Sequence, residues 1–210
     1  SRRRHVFDVQ VGYPKGKNPV PLTPQCLFPQ LGVASSAVTI YARTAVEPTI
    51  AINPKNRNHM VAAWQESRIF NGGALEIGIA YSHNGGRTWH QTEVPLQICI
   101  GGINQRLSDP WLSYAPNGKR VYLNALVVNT TLDINTQNQQ GIIVCVSEDH
   151  GRSWSIPHFV SSSQLVLGVP SSFPFDDKNS ITADRNHSKF AYCVWDRFPQ
   201  VTSFHSDTLI

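Results

Sequence analysis

Two eight-residue stretches decide the fold of this chain: Ser82-His83-Asn84-Gly85-Gly86-Arg87-Thr88-Trp89 and Ser147-Glu148-Asp149-His150-Gly151-Arg152-Ser153-Trp154. Both read Ser-x-(Asp/Asn)-x-Gly-x-(Ser/Thr)-Trp, and they stand 65 positions apart. A motif repeated in register between apolar runs indicates a repeat architecture. Asp or Asn accepts backbone N–H groups in a tight turn, Gly permits a positive φ, and Trp supplies an apolar plug. We therefore expect a structural role for Ser82, Asn84, Gly86, Thr88, Trp89, Ser147, Asp149, Gly151, Ser153 and Trp154.

The chain around these turns repeats one order of strands. Short apolar runs separated by Asn-Pro, Asn-Gly and Gly-rich turn signals precede each turn, and a further strand follows it. This pattern predicts two four-stranded antiparallel units, at about 47–94 and 109–160, and an incomplete third unit at 177–210. Residues 59–64 and 76–81 are predicted strands of the first unit, and Ser67 to Ala74 is the predicted loop between them.

Units of four strands that bury their faces against their neighbours make a β-propeller. The sequence therefore predicts an all-β fold, with about two and a half to three blades over 41–210. Because these are too few for a closed ring, we expect the missing blades to come from a longer chain. Residues 1–40 match no blade and are predicted to be an irregular N-terminal extension. Ala37 to Tyr41 is a candidate strand that closes the last blade.

Composition excludes several classes of protein. Of the 210 residues, 40% are apolar and 15% are charged, and no apolar run is long enough for a membrane span. The net charge is +4, but Lys and Arg are spread along the chain, which argues against nucleic-acid binding. The exception is Arg2-Arg3-Arg4, which we interpret as a solvated tail; a nuclear signal or an anionic-surface contact stays open.

No motif for a metal or a cofactor is present. The four cysteines, Cys26, Cys99, Cys145 and Cys193, form no CxxC pair, and the eight histidines have no metal-ligand spacing. We expect Cys145 and Cys193 to be buried free thiols, with a disulfide as the alternative if the protein is exported. We therefore predict no cofactor and no metal.

The eight-residue turn resembles the Asp box, or bacterial neuraminidase repeat, and the chain over roughly 46–198 resembles the sialidase superfamily of propellers. In that family the Asp boxes lie on the face opposite the active site. The resemblance thus implies that the starts of the first strands and the loops after the second strands form the functional face. It also slightly favours a secreted or cell-surface location.

That face gathers the candidate site residues. We expect a catalytic role for Glu47, Asp109 and Asp177, and a substrate-binding role for Arg68, Glu66, Asp196 and Arg197. Carboxylates beside arginines and aromatic rings are typical of sugar-binding clefts. The alternative is structural, with Glu47 and Asp109 holding backbone or pairing with Arg68 and Arg197. Further residues assigned to this face are Arg43, Asp176, Trp64, Phe70, Trp111, Trp195 and Phe198, although the matched offsets of Trp64 and Trp195 favour a core position for these two.

The sequence departs from the sialidase pattern at two positions. Val46 stands where the family has the first arginine of an Arg-Ile-Pro segment that grips the substrate carboxylate. Asn71 stands in the loop where the family has an acid/base Asp, and an amide cannot exchange a proton as a carboxyl group does. Only Glu66-Ser67-Arg68 fits the family's Glu-x-Arg. We therefore expect this chain not to cleave sialosides.

Two functional hypotheses from different classes remain. The first is a carbohydrate-active protein, either a glycoside hydrolase or a glycan-binding protein, with a glycan ligand at the face described above. The second is a non-catalytic propeller scaffold that holds a protein partner. A glycosidase needs two carboxyl groups across one cleft, whereas a scaffold needs none.

Overall fold

A computed structural model describes residues 40–70, 72–94, 96, 106–129, 138–165, 175–198 and 207–209. In these ranges the chain forms eleven strands: β1 Ile40–Ile52, β2 Met60–Ile69, β3 Ala74–Ser82, β4 His90–Thr92, β5 Arg106–Tyr114, β6 Val121–Asn129, β7 Asn138–Ser147, β8 His158–Leu165, β9 Phe175–Ala183, β10 Ala191–Phe198 and β11 Asp207–Leu209. The described residues contain no helix that is long and apolar enough to cross a membrane.

The strands pair into three antiparallel units in chain order. Blade 1 is β1-β2-β3-β4, blade 2 is β5-β6-β7-β8, and blade 3 is β9-β10-β11. The β3 strand of blade 1 and the β5 strand of blade 2 pair at one position among the described residues, Ala74 with Leu107. The predicted all-β fold of four-stranded antiparallel units is confirmed, and the third unit shows three strands within the described residues.

The first strand of blade 1 is longer than the sequence indicated. Ile40 and Tyr41 belong to β1 and pair with Ile69 and Arg68 of β2, so they do not close the last blade. Residues 37–39 and the rest of the predicted extension lie outside the described residues. The predicted loop from Ser67 to Ala74 is also shorter, because β2 continues to Ile69 and β3 begins at Ala74.

Strand β6 shows how the blades stack. Its sequence, Val-Tyr-Leu-Asn-Ala-Leu-Val-Val-Asn, is apolar on both faces, which is the pattern of a strand buried on both sides. Val121 and Leu123 lie on one face of β6 and belong to a core shared with blade 1. Tyr122 faces the other way and packs with Ile181 and Ala183 of blade 3. Blade 2 is therefore packed between its two neighbours.

The 82–89 and 147–154 turns have matching hydrogen bonds. In the first turn Asn84 Oδ1 accepts the Thr88 N–H at 2.9 Å, and in the second Asp149 Oδ1 accepts the Ser153 N–H at 2.9 Å. The buried Ser82 and Ser147 hydroxyls donate to these Asn and Asp oxygens and accept the amides of Gly86 and Gly151. The in-turn backbone bonds predicted for Asn84 and Asp149 are confirmed.

Gly151 also fixes how blade 2 meets blade 1. Its φ is 93°, and a Cβ atom there would lie 2.8 Å from Val61 Cγ2 and 3.1 Å from Tyr81 Cβ. Any side chain would therefore strain the backbone and push the two blades apart. Nearby, Asn53 Nδ2 donates to Gly118 O at 2.9 Å, and Thr92 Oγ1 donates to Arg152 O at 2.8 Å.

The tryptophans that end the two turns are partly buried rather than mostly enclosed. Trp154 packs against the core shared by blades 1 and 2, whereas Trp89 packs against a smaller cluster with Ala62 and Trp64. Cys145 and Cys193 are free thiols; Cys145 is buried and Cys193 is partly buried. Burial raises the pKa of the Cys145 thiol to about 12, so it behaves as an apolar group. Cys26 and Cys99 lie outside the described residues.

Replacing Trp154 with Ala should lower the free energy of unfolding by about 2–3 kcal/mol. Full burial would give about 3–5 kcal/mol, but part of this ring stays exposed. Urea unfolding followed by tryptophan fluorescence measures the change. Ile156→Ala is the control, since that side chain is 70% exposed and surface changes usually cost under about 0.5 kcal/mol. Equal stability of the two variants would show that Trp154 does not stabilise the fold.

Candidate functional site

The same β-bulge occurs in the first strand of every blade. In β1 the pair Glu47-Pro48 lies opposite one residue of β2, because the register jumps between Val46 and Thr49. The register of β5 jumps around Asp109-Pro110, and the register of β9 against β10 jumps around Lys178. Bulges re-aim side chains, and they occur often beside functional sites.

The first bulge residue has a left-handed backbone in all three blades. The φ angles are 52° at Glu47, 49° at Asp109 and 51° at Lys178. None of the three is glycine, and each such conformation costs on the order of 1 kcal/mol or more. The repeat of the same uncommon conformation makes these three residues structural equivalents. Each of them lines the same cavity.

That cavity has a volume of about 530 Å³ and is open to solvent, with walls from all three blades. The three predicted catalytic carboxyl groups line it together, as does one of the four predicted substrate-binding residues. Its charged residues are Glu47, Asp109, Asp177, Arg68, Arg106 and Lys178. The two cations missed by the sequence prediction are therefore Arg106 and Lys178.

Glu47 and Asp109 are neighbouring carboxyl groups that line the cavity together. Burial and the charge of the neighbouring Asp109 raise the pKa of Glu47, so Glu47 retains its proton more readily than an exposed glutamate does. Gln65 Nε2 donates to Glu47 Oε2 and also to Ser108 Oγ, and the Ser108 hydroxyl donates to Asp109 Oδ1 at 2.6 Å. The pair is thus held in place by side chains from β2 and β5.

Asp177 is the third carboxyl group of the cavity. Burial raises its pKa, and Asp109 and Asp196 raise it further, while the Lys178 backbone N–H that donates to Oδ1 at 2.9 Å lowers it. Asp196 is the cross-strand neighbour of Asp177 in β10 and does not itself line the cavity. Asp196 therefore acts on the site through its charge.

Arg68 reaches the cavity because of the backbone before it. Ser67 has φ 59°, which interrupts the alternation of side chains along β2. The Arg68 guanidinium then lies beside Gln65, with Nη1 donating to Gln65 Oε1 at 3.1 Å and to Gly73 O at 2.8 Å. Arg106 lines the same cavity, and burial and the charge of Arg68 lower the pKa of Arg106. Neither forms an ion pair with a carboxylate in the described part of the chain.

The other predicted ligand-binding residues have different partners. Glu66 is buried, and its Oε2 accepts the indole N–H of Trp64 at 2.6 Å, away from the cavity. Arg197 pairs with Asp176, which is 0% exposed: Nε lies 2.7 Å from Oδ1, and Nη2 lies 3.0 Å from Oδ2. Arg197 and Asp176 therefore bind each other instead of lining the cavity, which departs from the expectation for both.

The aromatic residues assigned to this face do not line the cavity either. Trp64 is buried and Trp195 is partly buried, while Phe70, Trp111 and Phe198 are exposed side chains outside the lining. The aromatic ring that does line it belongs to Phe175, at the start of β9. The side chains of Arg43 and Asn71 lie outside the described residues.

A signal for one missed residue was present in the sequence. Trp195 follows Asn179 by the same 16 residues that separate Trp64 from Pro48. This alignment makes Lys178 equivalent to Glu47 and Asp109, but the site predicted from the sequence contained only the neighbouring Asp177. Arg106 had no such signal, because its strand was expected to start at Asp109. Among the described residues no group of three or more His, Cys, Asp or Glu side chains is arranged to hold a metal ion.

The strand order and the repeated turns define the class of fold, an all-β arrangement of antiparallel propeller blades. Among solved structures, the chain is similar to the Hadza microbial sialidase Hz136, with 15% identity and a TM-score of 0.48 over 74% of this chain and 35% of that one. It is also similar to a Trypanosoma rangeli sialidase in complex with the inhibitor DANA, with 16% identity and a TM-score of 0.41 over 80% of this chain and 30% of that one.

The chain spans about a third of the length of those sialidases. No protein-family model matches it, and no curated protein matches it in sequence.

Proposed function

We propose that this chain is carbohydrate-active and that the cavity between the three first-strand bulges binds a saccharide. The observation that carries the proposal is the meeting of three carboxyl groups and Arg68 in one open cavity. Hydroxyl groups of a sugar are both donors and acceptors, so they suit a site that mixes carboxylates with guanidinium groups. The cavity volume of about 530 Å³ lies in the usual range for small-ligand sites.

The carboxyl groups divide into two units of different chemistry. Burial and the charge of Asp109 raise the pKa of Glu47, so Glu47 is the candidate acid, with Asp109 beside it. A glycosidase needs a second carboxyl group at least about 5 Å from the acid, and Asp177 is the remaining candidate. In a hydrolytic reaction Glu47 would protonate the leaving glycosidic oxygen as the C–O bond breaks. Asp177 would stabilise the positive charge on the sugar ring or accept a proton from the water that adds to it.

Arg68 and Arg106 are the groups that would hold and orient the ligand. Both line the cavity and neither is neutralised by an ion pair within the described chain. The two contacts that fix Arg68 use only Nη1, which leaves its other N–H groups for a ligand. A positioned guanidinium donates up to five hydrogen bonds and recognises oxygen pairs well.

Calorimetric titration of the purified chain with a panel of neutral and acidic oligosaccharides tests the proposal. We expect one saccharide class to bind, and Arg68→Ala to raise its Kd about tenfold, since a charge-assisted hydrogen bond is worth at least about 1.4 kcal/mol. The control is Arg57→Ala, an exposed arginine in the turn before β2, which should leave the Kd unchanged. Absence of binding to every saccharide would reject the proposal and favour the protein-binding scaffold.

A further inference from the structure

Three histidine rings meet where blades 1 and 2 touch at their turn-bearing edge. His59 precedes β2, His83 lies in the 82–89 turn, and His150 lies in the 147–154 turn. The ring centroids of His59 and His150 are 4.1 Å apart, those of His59 and His83 are 4.7 Å apart, and those of His83 and His150 are 6.0 Å apart. Two blades therefore contact each other through a cluster of titratable rings.

The hydrogen bonds of the cluster fit neutral rings. Arg152 Nη2 lies 3.0 Å from His83 Nδ1, and because a guanidinium only donates, this nitrogen must be the acceptor. The Nδ1 atoms of His59 and His150 are buried and have no hydrogen-bond partner among the described residues. A charged imidazole carries a proton on both nitrogens and needs an acceptor for each, and the Nδ1 atom of His150 has none among the described residues.

The surrounding charges add to the cost of protonation. Arg152 is the nearest cation, and Asp149, which favours the charged form of His150, is already bonded to Ser147 and Ser153. The other rings against the cluster are Tyr81 and Tyr114, and the His90 ring stacks on Tyr81. On its open side His150 shares a second cavity with Lys119, Arg120, Glu148 and Lys189, where Arg120 and Glu148 neutralise each other. The net charge facing the rings is positive.

His150 is held in an unfavourable backbone conformation. Its φ is 63°, and the matching position of the other turn is Gly85 with φ 72°. A glycine adopts this conformation without steric cost, whereas a histidine does not. The 147–154 turn therefore carries a histidine at the position where the 82–89 turn has Gly85, the residue type that this backbone conformation favours.

We propose that His83 and His150, packed against His59, form an acid-sensitive clasp between blades 1 and 2, which holds while the His83 and His150 rings are neutral and loosens when these two rings become protonated. Two positive rings with centroids 6.0 Å apart, beside Arg152, would repel each other across the contact. Two hydrogen bonds between blades 1 and 2 lie at the same edge, from Thr92 to Arg152 and from Asn53 to Gly118. They would weaken when the clasp loosens.

The titration has a definite direction. Burial lowers the pKa of His83, and Arg152 and His59 lower it further; burial also lowers the pKa of His150, followed by His59 and His83. A histidine whose pKa is lowered in the folded state binds protons more readily when unfolded. Its stabilising effect is complete above the unfolded pKa, near 6.5, and is lost as the pH falls below that value toward the folded pKa.

The test is the pH dependence of thermal unfolding of the full chain between pH 7.5 and 5.5. The comparison variant is His150→Gly, which places glycine at this position, as in the 82–89 turn. We expect the Tm of the wild type to fall about 2–4 °C more than that of His150→Gly, because the variant lacks one of the two rings whose pKa is lowered and the charge that this ring would place beside His83. His158→Asn is the control, because His158 is an exposed ring on β8 outside the cluster, and it should follow the wild type.

A second measurement separates the clasp from a general loss of stability. Hydrogen exchange of peptides covering residues 80–92 and 147–155, corrected for the intrinsic rate at each pH, should increase at pH 5.5 in the wild type and not in His150→Gly. The proposal is wrong if both proteins show the same pH dependence of Tm. It is also wrong if histidine resonances show His83 and His150 titrating at or above the pH of exposed His158.

Discussion

Replacing Arg197 with Ala should lower the free energy of unfolding by about 3–5 kcal/mol, the cost of leaving a buried charge without its partner. The carboxyl group of Asp176 is 0% exposed and receives two hydrogen bonds from the guanidinium, at 2.7 and 3.0 Å. Ser161 of blade 2 joins the same network, with its Oγ 2.5 Å from Arg197 Nη2 and bonded to Asp176 Oδ2. Loss of Arg197 therefore removes the guanidinium that links Ser161 of blade 2 to the carboxylate of Asp176 in blade 3.

The backbone of Asp176 is itself held in place by two hydrogen bonds. Gln140 Nε2 donates to the Asp176 carbonyl at 2.7 Å, and the Asp176 N–H donates to Gln140 Oε1 at 3.2 Å. This pair of bonds fixes Asp176 against β7, so its carboxylate cannot turn toward water when Arg197 is removed. Removing Arg197 then leaves a buried carboxylate without its charged partner unless the blades separate.

The measurement is urea unfolding followed by circular dichroism, with Arg120→Ala as the matched control. Arg120 forms an ion pair with Glu148, which is 67% exposed, and such pairs contribute at most about 1 kcal/mol. A double variant, Asp176→Leu with Arg197→Met, should recover most of the stability, because an apolar pair avoids the desolvation of both charges. A single Arg197→Ala change as mild as Arg120→Ala would show that the pair does not hold the blades together.

Glu47→Gln should lower any glycosidase activity of this chain by about 10²–10⁴-fold, the usual contribution of general acid–base catalysis. Glutamine keeps the shape and the hydrogen bond to Gln65 but cannot release a proton. Because burial and Asp109 raise the pKa of Glu47, the acid form persists to higher pH than for an exposed glutamate. Activity that depends on this proton falls as the pH rises through that raised pKa, and the fall should be absent in Glu47→Gln.

Aryl glycosides of several sugars, including an aryl sialoside, are the substrates for this assay. Glu93→Gln, at an exposed position after β4, is the control and should retain full activity. We expect no turnover of the sialoside, given Val46 and Asn71 at the two positions described above. Sialoside turnover that disappears in Glu47→Gln would show that those two departures do not matter. Full activity of Glu47→Gln on another glycoside would exclude Glu47 as the acid.

Local chemistry made the turns and the order of strands predictable. Each of the two turns is closed by hydrogen bonds between residues two to four positions apart. Such short-range bonds are determined by the residue types themselves, so Ser, Asp or Asn, Gly and Trp in one register are sufficient to predict the turn. The Gly and Asn-Pro punctuation then separates the strands, and the chain order of the blades follows.

The composition of the site was only partly predictable for a reason of geometry. Asp176 and Asp177 are consecutive acidic residues on β9, and alternation sends their side chains to opposite faces. Asp177 lines the cavity and Asp176 is buried under Arg197. The sequence alone does not determine which of the two carboxylates faces the cavity. The same holds for Arg68, whose direction depends on the left-handed backbone at Ser67.

The sequence by itself determined the repeated turns, the four-stranded units and the end of the blades at which acidic residues collect. The tertiary structure alone decided that Glu47 pairs with Asp109 from the next blade, that Lys178 and Arg106 join them, and that Arg197 is occupied by Asp176. The physical reason is range: turns and strands arise from contacts a few residues apart. The cavity and the ties between blades arise from side chains that meet only after the blades have stacked.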